Sequence, residues 1–310
     1  MSSVSRRGFL QAAAATSAGA ALCASPFESA WSREARAALA VSEIAPGLSL
    51  ITGGGGNVVV LGGPDGALLV DGGNAASSAA LLKLALKTAG AKQVHTLFNT
   101  HWHPDQTGSN ERVGKSGARI IAQENTKLWL GRKIVTDWLP GGYGPLPKAA
   151  LPNKSFYTTD SIDFGGEKLA FGHLGQAHTD GDLYVHFTRA NVLAAGGVVS
   201  NAGWPLLDWQ TGGWIGGLVA AYDRLLKVAD DATKVVPANG ALVDRKFLQS
   251  CRDMYFQVFD RCVKQLVKGM GPEECADSRP AKEYEAQWGD SRAFVIASFK
   301  SLWGHYAPDA

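Results

Sequence analysis

From residue 48 onward the chain consists of short apolar runs separated by glycines, and this pattern constrains the fold more than any other feature. Runs of four to seven residues rich in Val, Ile, Leu and Ala have the length of β-strands. Glycine-rich stretches such as residues 53–56 and 62–66 are typical of the turns between strands. Longer segments with apolar residues at helical spacing accompany the short runs. The pattern occurs in two successive sets, which predicts two sheets packed face to face with helices outside them.

The individual elements follow from the same reading. The predicted strands cover residues 48–52, 58–61, 67–70, 94–98, 119–122, 161–164, 168–174, 183–187, 191–195 and 233–237. The predicted helices cover residues 75–89, 124–130, 214–228, 247–268 and 291–303. Residues 138–154 are rich in Gly and Pro and show no periodicity, which predicts a long loop of the kind that often forms a lid or a binding loop.

The first forty residues differ from the rest of the chain. Arg6 and Arg7 precede Gly8, and an Ala-rich, weakly apolar run follows as far as Ala24. This segment resembles a twin-arginine export signal, and its apolar run is shorter than the roughly 20 residues that a membrane crossing needs. We therefore expect residues 1–40 to be a signal peptide and linker, cleaved between Ala24 and Ala40. The mature protein is expected to be periplasmic or otherwise exported by the twin-arginine route, with no membrane span.

Residues 41–310 are expected to form a single domain that includes the C-terminal helices. Without residues 1–40, the 30 basic and 28 acidic residues of the chain become 26 of each. A balanced charge without a basic stripe argues against nucleic acid or a membrane surface as a partner. The remaining 270 residues are enough for one large core. A small-molecule substrate is therefore the expected partner, while the oligomeric state is left open.

Four candidate metal ligands lie next to two predicted strands: three follow the strand at residues 94–98, and one precedes the strand at residues 183–187. His101, His103 and Asp105 occupy alternate positions, and residues two apart in an extended chain face the same side. Pro104 disfavours helical backbone at His103. His178 comes immediately before the second strand. Three imidazoles around one cation form a zinc arrangement that leaves one position for water.

These segments resemble the signatures of the metallo-β-lactamase superfamily. Residues 99–110 are similar to its H-x-H-x-D-H signature, residues 176–182 to its G-H-T-x-G-D signature, and residues 67–73 to a strand that ends in a structural aspartate, here Asp71. The resemblance implies an α/β fold, the four-layer αββα sandwich of that family, with a metal site at one edge between the sheets. It also implies that His101, His103 and His178 bind the metal and that Asp71 supports a ligand histidine from behind.

The chain departs from the family pattern at the second metal position. Gln106 stands where a histidine is usual, Gly197 replaces a bridging aspartate, and Asn239 replaces a histidine, although Asp105 is kept. An amide is a poor zinc ligand, and glycine has no side chain to offer. We therefore predict one Zn²⁺ per chain and no second metal. The same comparison predicts that restoring all three family ligands rebuilds the second position.

The expected function is an exported, metal-dependent hydrolase with a mononuclear zinc site that activates water. The substrate is an ester, lactone, thioester or amide-type small molecule, and the sequence does not select among them. Asp105 is either a catalytic base, a metal neighbour or a cap on the following helix. Gln106, Gly197 and Asn239 would then support the site or face the substrate. Aromatic residues such as Trp138 and Tyr143 either line an apolar pocket or pack in the interior.

Two alternatives remain open at this stage. One is a catalytically inactive protein of the same fold that binds a small molecule or a partner protein. The other is a mononuclear iron oxidoreductase, which ranks last because iron-containing members of the family use the aspartate that Gly197 replaces. A metal assay separates the three readings.

Overall fold

The structure, a computed structural model, describes residues 38–306. The predicted export signal and nearly all of the predicted linker lie outside the described residues, so the signal and the division of the chain at residue 41 stay predictions. The first strand already begins at Ala40, one residue before that predicted boundary.

Twelve of the described strands form two large sheets. The first sheet has seven strands in the order β1-β2-β3-β4-β5-β6-β9, and the second has five in the order β10-β11-β12-β13-β14. The strands of the first sheet are β1 (Ala40–Ala45), β2 (Leu48–Thr52), β3 (Val58–Gly63), β4 (Gly66–Val70), β5 (Val94–Phe98), β6 (Arg119–Gln123) and β9 (Lys154–Phe156). The strands of the second sheet are β10 (Thr159–Phe164), β11 (Glu167–Gly175), β12 (Asp182–Phe187), β13 (Val192–Ser200) and β14 (Lys234–Asn239).

Helices flank these sheets and interrupt the connections between strands. Those before the second sheet are α1 (Ser78–Ala89), α2 (Pro104–Thr107), α3 (Asn110–Lys115) and α4 (Glu124–Leu130). The later ones are α5 (Ile215–Val228), α6 (Arg245–Val267), α7 (Pro272–Asp277), α8 (Glu285–Trp288) and α9 (Arg292–Tyr306). Among the helices within residues 38–306, none combines the length and the apolar character that a bilayer crossing requires.

The apolar residues divide into layers as the alternating pattern requires. One buried cluster fills the space between the sheets, with Leu68 and Phe98 from the first sheet against Phe171 and Val185 from the second. A second cluster packs α1 on the outer face of the first sheet, and a third packs α5, α6 and α9 on the outer face of the second. The predicted αββα sandwich is confirmed.

Strand directions bring chemically important residues to one edge. Strands β4 and β5 are parallel, with Val70 paired to Phe98, so their carboxyl ends lie side by side. Leu183 at the start of β12 donates its backbone N–H to the carbonyl of Thr100, at 2.9 Å. This bond joins the second sheet to the segment that follows β5. The residues after β4 and β5 therefore meet those before β12 at the edge of the sandwich.

The predicted loop at residues 138–154 is wrong in part. Strand β8 (Leu139–Tyr143) pairs antiparallel with β7 (Ile134–Thr136) and forms a separate hairpin, and a single 3₁₀ turn follows at Lys148–Ala150. Strand propensities do not predict β8, because Pro140, Gly141 and Gly142 all disfavour regular sheet. The hairpin is stabilised by tertiary packing around the buried side chains of Trp102, Leu130 and Ile134.

Candidate metal centre

Three buried histidines converge at the edge where the two sheets meet. His101 and His103 lie in the segment after β5, and His178 lies between β11 and β12. One nitrogen from each imidazole lies within 4.8 Å of the other two, and the side chains are only 1–5% exposed. The structure thus brings together the three histidines that the sequence predicted, and they can hold a metal ion.

The local backbone explains how His101 and His103 are presented. Pro104 is the first residue of α2, and His103 before it is extended, with φ −57° and ψ 148°. Asp105 is consequently in the first turn of a helix. The extended alternation inferred from the sequence therefore stops at His103, and Asp105 lies in a helix rather than in extended chain.

Asp71 lies behind His101 and is connected to it through Thr100. Its backbone has a positive φ of 65°, an uncommon conformation for a residue other than glycine. Its carboxylate accepts the N–H of Thr100 at 2.8 Å and the Thr100 hydroxyl at 2.8 Å. Because that hydroxyl proton goes to Asp71, Thr100 Oγ1 accepts from His101 Nδ1 at 3.0 Å. His101 is thereby left with Nε2 toward the other histidines.

The other two imidazoles are also held from behind. His103 Nε2 is 3.1 Å from the carboxylate of Asp208, and His178 Nδ1 donates to the carbonyl of Leu206. These partners fix the tautomers, because the protonated nitrogen of each ring is the one that donates. His103 therefore presents Nδ1 and His178 presents Nε2.

The inner nitrogens of His103 and His178 are 3.1 Å apart. With their protons on the opposite sides of the rings, both atoms carry lone pairs, and the pair repels unless a cation lies between them. Tetrahedral zinc with Zn–N bonds of about 2.0–2.1 Å places its ligand nitrogens about 3.3 Å apart. The spacing and the donor set both fit a zinc ion.

Burial keeps the histidines in their metal-binding form. Loss of solvation lowers the pKa of His101 and of His103 well below the ordinary value, and neighbouring histidines lower it further. Burial also lowers the pKa of His178 to about 4, although Asp208 acts in the opposite direction. Neutral imidazole is the form that coordinates metals. Burial likewise raises the pKa of Asp71 to about 8, against the two hydrogen bonds from Thr100.

Asp105 and Gln106 are buried together in α2, which begins directly after His103. Gln106 is fully buried, and its amide Nε2 donates to Asp105 Oδ2 at 3.0 Å. Gln106 Oε1 has no hydrogen-bond partner among the described residues. Gln106 therefore orients the Asp105 carboxylate through its amide. Its unsatisfied atom, Oε1, is an acceptor.

Gly197 lies directly against His178. A Cβ atom at this position would be 2.5 Å from His178 Nε2 and even closer to Cδ2, far inside van der Waals contact. Gly56 lies against Gln106 in the same way, since its Cβ would be 2.9 Å from Gln106 Oε1. The His178 ring and the Gln106 amide fill the space that side chains at Gly197 and Gly56 would need. This packing argues against the expectation that restoring the family ligands rebuilds a second metal position.

Asn239 ends β14 on the second-sheet side of this edge and is half-buried. The turn around it is tied to the first sheet by Asn57, whose amide Nδ2 donates to the carbonyls of Pro237 and Gly240, each at 2.9 Å. Asn239 is thus held near the junction of the two sheets.

Sequence reasoning missed Asp208 and left the role of the aromatic residues open. Asp208 lies in an otherwise apolar stretch, and a single buried carboxylate in such a stretch is the signal that could have found it. The ring of Trp138, on the turn of the β7–β8 hairpin, lies 4.6 Å from that of His103. The Tyr143 hydroxyl is 2.9 Å from that of Thr107. Trp204, in contrast, is partly buried and packs against the core, 4.8 Å from the Phe294 ring.

A two-sheet sandwich with three histidines converging on one cation position defines a class of metal-binding α/β proteins. A family model described as the metallo-beta-lactamase superfamily matches residues 51–238, more than half of the chain. The chain belongs to the metallo-beta-lactamase superfamily.

Known proteins agree at the level of the fold. A metallo-beta-lactamase from Pontibacter korlensis superposes with a TM-score of 0.59 at 21% identity, over 70% of this chain and 99% of that one. A stereoselective inverting sec-alkylsulfatase from a Pseudomonas species gives a TM-score of 0.67 at 16% identity, over 88% of this chain and 51% of that one. At these identities the likeness concerns the fold alone.

A curated relative matches in sequence. A hydroxyacylglutathione hydrolase from Erythrobacter litoralis is 29% identical over 114 residues, which is 36% of this chain. The match spans only 37% of that relative's own length.

Proposed function

We propose that this protein is a hydrolase that binds one zinc ion through His101, His103 and His178 and cleaves an ester, lactone, thioester or amide-type small molecule. The observation that carries the proposal is the convergence of three neutral, buried imidazole nitrogens from both sheets. The buried Asp105 carboxylate, two residues after His103 and oriented by Gln106, supports a hydrolytic role. Membership of a superfamily rich in hydrolases supports the reaction class.

Each residue has a defined task in this proposal. When bound, zinc acts as a Lewis acid that lowers the pKa of a water molecule toward about 7. Asp105 takes the proton as the water oxygen adds to the substrate carbonyl carbon, and Gln106 holds the carboxylate in place for this transfer. Asp105 then returns the proton to the leaving group as its bond to the carbonyl carbon breaks.

One metal rather than two is the finer part of the proposal. Three residues support it: Gln106 donates to Asp105, Gly197 offers no ligand, and Asn239 offers only an amide. Packing of His178 against Gly197 leaves no room there for a coordinating side chain. A site with a single set of three histidine ligands binds one divalent ion tightly.

The test combines metal content with a substrate screen. Purified protein loaded with zinc should hold about one ion per chain and hydrolyse at least one of a set of aryl esters, lactones, thioesters and lactams. A thioester comes first in the screen, since the curated relative is named as a hydroxyacylglutathione hydrolase. Protein that binds no metal would contradict the proposal, and so would two tightly held ions.

Two variants serve as a matched pair in this test. His178→Ala removes a ligand and should abolish both metal binding and hydrolysis. Asn239→Ala should leave the metal content near one ion per chain, because its amide is not among the ligands. Equal metal loss in both variants would show that the ligand set has been assigned incorrectly.

We also propose that the protein is exported by the twin-arginine route. The support is Arg6 and Arg7 followed by the Ala-rich run, in the part of the chain outside the described residues. Replacing both arginines by lysine should keep the precursor in the cytoplasm of an expressing bacterium, as measured by cell fractionation. Processed periplasmic protein in that variant would contradict the proposal.

A further inference from the structure

His103 is enclosed by two tryptophan rings. The Trp102 ring lies 4.5 Å from the His103 ring, and the Trp138 ring lies 4.6 Å from it. Trp102 belongs to the same segment as His103, whereas Trp138 belongs to the turn of the β7–β8 hairpin. The hairpin therefore covers one side of the candidate metal centre by resting on a ligand.

A directed chain of hydrogen bonds ends on the outer nitrogen of His103. The Trp102 indole N–H donates to Thr211 Oγ1 at 3.1 Å, and the Thr211 hydroxyl donates to Asp208 Oδ2 at 2.7 Å. The same oxygen is 3.1 Å from His103 Nε2. Since an indole can only donate, the direction of the chain is fixed, and Asp208 is left to accept from His103.

His103 differs from the other two candidate ligands in the charge of its partner. His101 hydrogen-bonds to a threonine hydroxyl and His178 to a backbone carbonyl, and both of these partners are neutral. Of the three, only His103 hydrogen-bonds directly to a carboxylate, and the side chains of His103 and Asp208 are each 1% exposed. A carboxylate behind an imidazole fixes the tautomer and makes the inner nitrogen a stronger ligand.

The hairpin turn is held by the same short segment. The Asp137 N–H donates to Gln210 Oε1 at 2.7 Å, and Gln210 Nε2 donates back to Asp137 Oδ1 at 3.4 Å. The Trp138 side chain also interacts with the Asp208 carboxylate. Residues 208–211 therefore contact both a candidate metal ligand and the element that covers it.

We propose that Asp208 is a positioning residue with two tasks. It holds His103 in the tautomer whose Nδ1 faces the metal. It also holds Trp138, and with it the β7–β8 hairpin, over His103. The inference rests on the metal site of the proposed function. It adds that metal affinity and coverage of the site depend on one carboxylate that contributes no ligand atom.

The first measurement concerns the metal-free protein. Nitrogen-15 NMR of the histidine side chains reports which ring nitrogen carries the proton. His103 should be protonated at Nε2 in the wild type, and Asp208→Ala should shift the population toward the Nδ1-protonated form. An unchanged His103 tautomer in Asp208→Ala would overturn the proposal, whether or not the protein binds zinc.

The second measurement is zinc affinity by competition with a chelating dye. Asp208→Ala should weaken binding by about 10- to 100-fold, the usual effect of removing a partner behind a ligand histidine. Asp208→Asn, which can still accept a hydrogen bond, should lose less. The matched control is Asp244→Ala, which removes a carboxylate that caps α6 by accepting the Phe247 N–H at 2.8 Å. Equal losses in Asp208→Ala and Asp244→Ala would reduce Asp208 to a general structural role.

The third measurement is the rate at which a chelator extracts zinc. Gln210→Ala loosens the hairpin turn without touching a ligand, so extraction should become several-fold faster while the equilibrium affinity is retained. Asp208→Ala should change both quantities. If Asp208→Ala does not fold, Thr211→Val removes the hydroxyl that orients Asp208 and carries the same test. Wild-type protein that binds no zinc contradicts the proposed function, whereas normal zinc affinity in a folded Asp208→Ala contradicts only this inference.

Discussion

At the scale of single residues, Gly197 determines where the ring of His178 can lie. His178 is held from behind by the Leu206 carbonyl and has its inner nitrogen 3.1 Å from that of His103. The ring lies against the open face of Gly197, and any Cβ there would overlap it. Gly197 therefore does more than fail to supply a metal ligand, because the ring of His178 occupies the space that a side chain at this position would fill.

Gly197→Ala should consequently weaken metal binding even though glycine coordinates nothing. We expect zinc affinity to fall by about tenfold or more, the scale of effect seen when a ligand histidine loses its orientation. Competition with a chelating dye measures the change. Gly141→Ala is the matched control, since a Cβ at Gly141 meets nothing within 4 Å and its backbone φ is not positive. Full zinc affinity in Gly197→Ala would mean that the ring relocates without cost.

The same overlap bears on the attempt to restore the second metal position. An aspartate at Gly197 would have to displace His178 before it could bind anything. Adding histidines at Gln106 and Asn239 does not relieve this overlap. We therefore expect the triple variant to hold no more than one ion, which reverses the expectation drawn from the sequence.

At the scale of elements, the site lies where the ends of several strands meet, and Asn57 joins the two sheets there. Its side chain donates to two backbone carbonyls at the end of β14, and its backbone N–H donates to the carbonyl of Ala238 at 2.7 Å. Asn57 is 6% exposed, and its bond to the Pro237 carbonyl is buried while that to the Gly240 carbonyl is partly buried.

Asn57→Ala should therefore destabilise the fold noticeably. Leaving one buried and one partly buried acceptor unpaired costs about 2 kcal/mol, and for a domain of this size that lowers Tm by about 4–8 °C. Urea unfolding and a thermal melt measure the loss. Asn201→Ala is the control, because its amide makes one hydrogen bond at an exposed position, to the Ala241 carbonyl. Equal midpoints for the two variants would count against a role for Asn57 in joining the sheets.

At the scale of the whole molecule, the three histidines come from both halves of the sandwich. His101 and His103 follow β5 of the first sheet, and His178 precedes β12 of the second. A metal bound by all three would connect the sheets at one edge, in addition to the apolar cluster that already packs between them.

Zinc should therefore stabilise the folded protein. With free zinc about 100-fold above Kd, binding to the folded state alone adds about 2.7 kcal/mol, or a rise in Tm of about 5–10 °C. Differential scanning fluorimetry before and after treatment with a chelator measures the shift. Magnesium, which prefers oxygen ligands, should have no such effect. A zinc shift of the same size in His178→Ala would show that the ion acts elsewhere.

The sequence by itself determined many of the elements and the three histidines that converge. Alternation of short apolar runs with glycine depends on neighbours in the chain, so β5 and α4 were predicted with the bounds that they have. His101 and His103 were recognisable because they directly follow a strand, and Pro104 fixes the backbone between the strand and α2. Local rules suffice for such features, because backbone sterics and strand ends act over a few residues.

Only the tertiary structure decided how those ligands are held. Asp208 lies 105 residues from His103 in sequence and meets it only because the second sheet packs on the first. The β7–β8 hairpin forms although the Pro and Gly residues of β8 disfavour a strand. The contact of Gly197 with His178 cannot be predicted from any local sequence pattern. Hydrogen-bond direction, steric overlap and burial depend on distances between segments that are remote in sequence. The sequence therefore indicated where a metal can bind, and the packing of the two sheets decided which nitrogen of each histidine faces it.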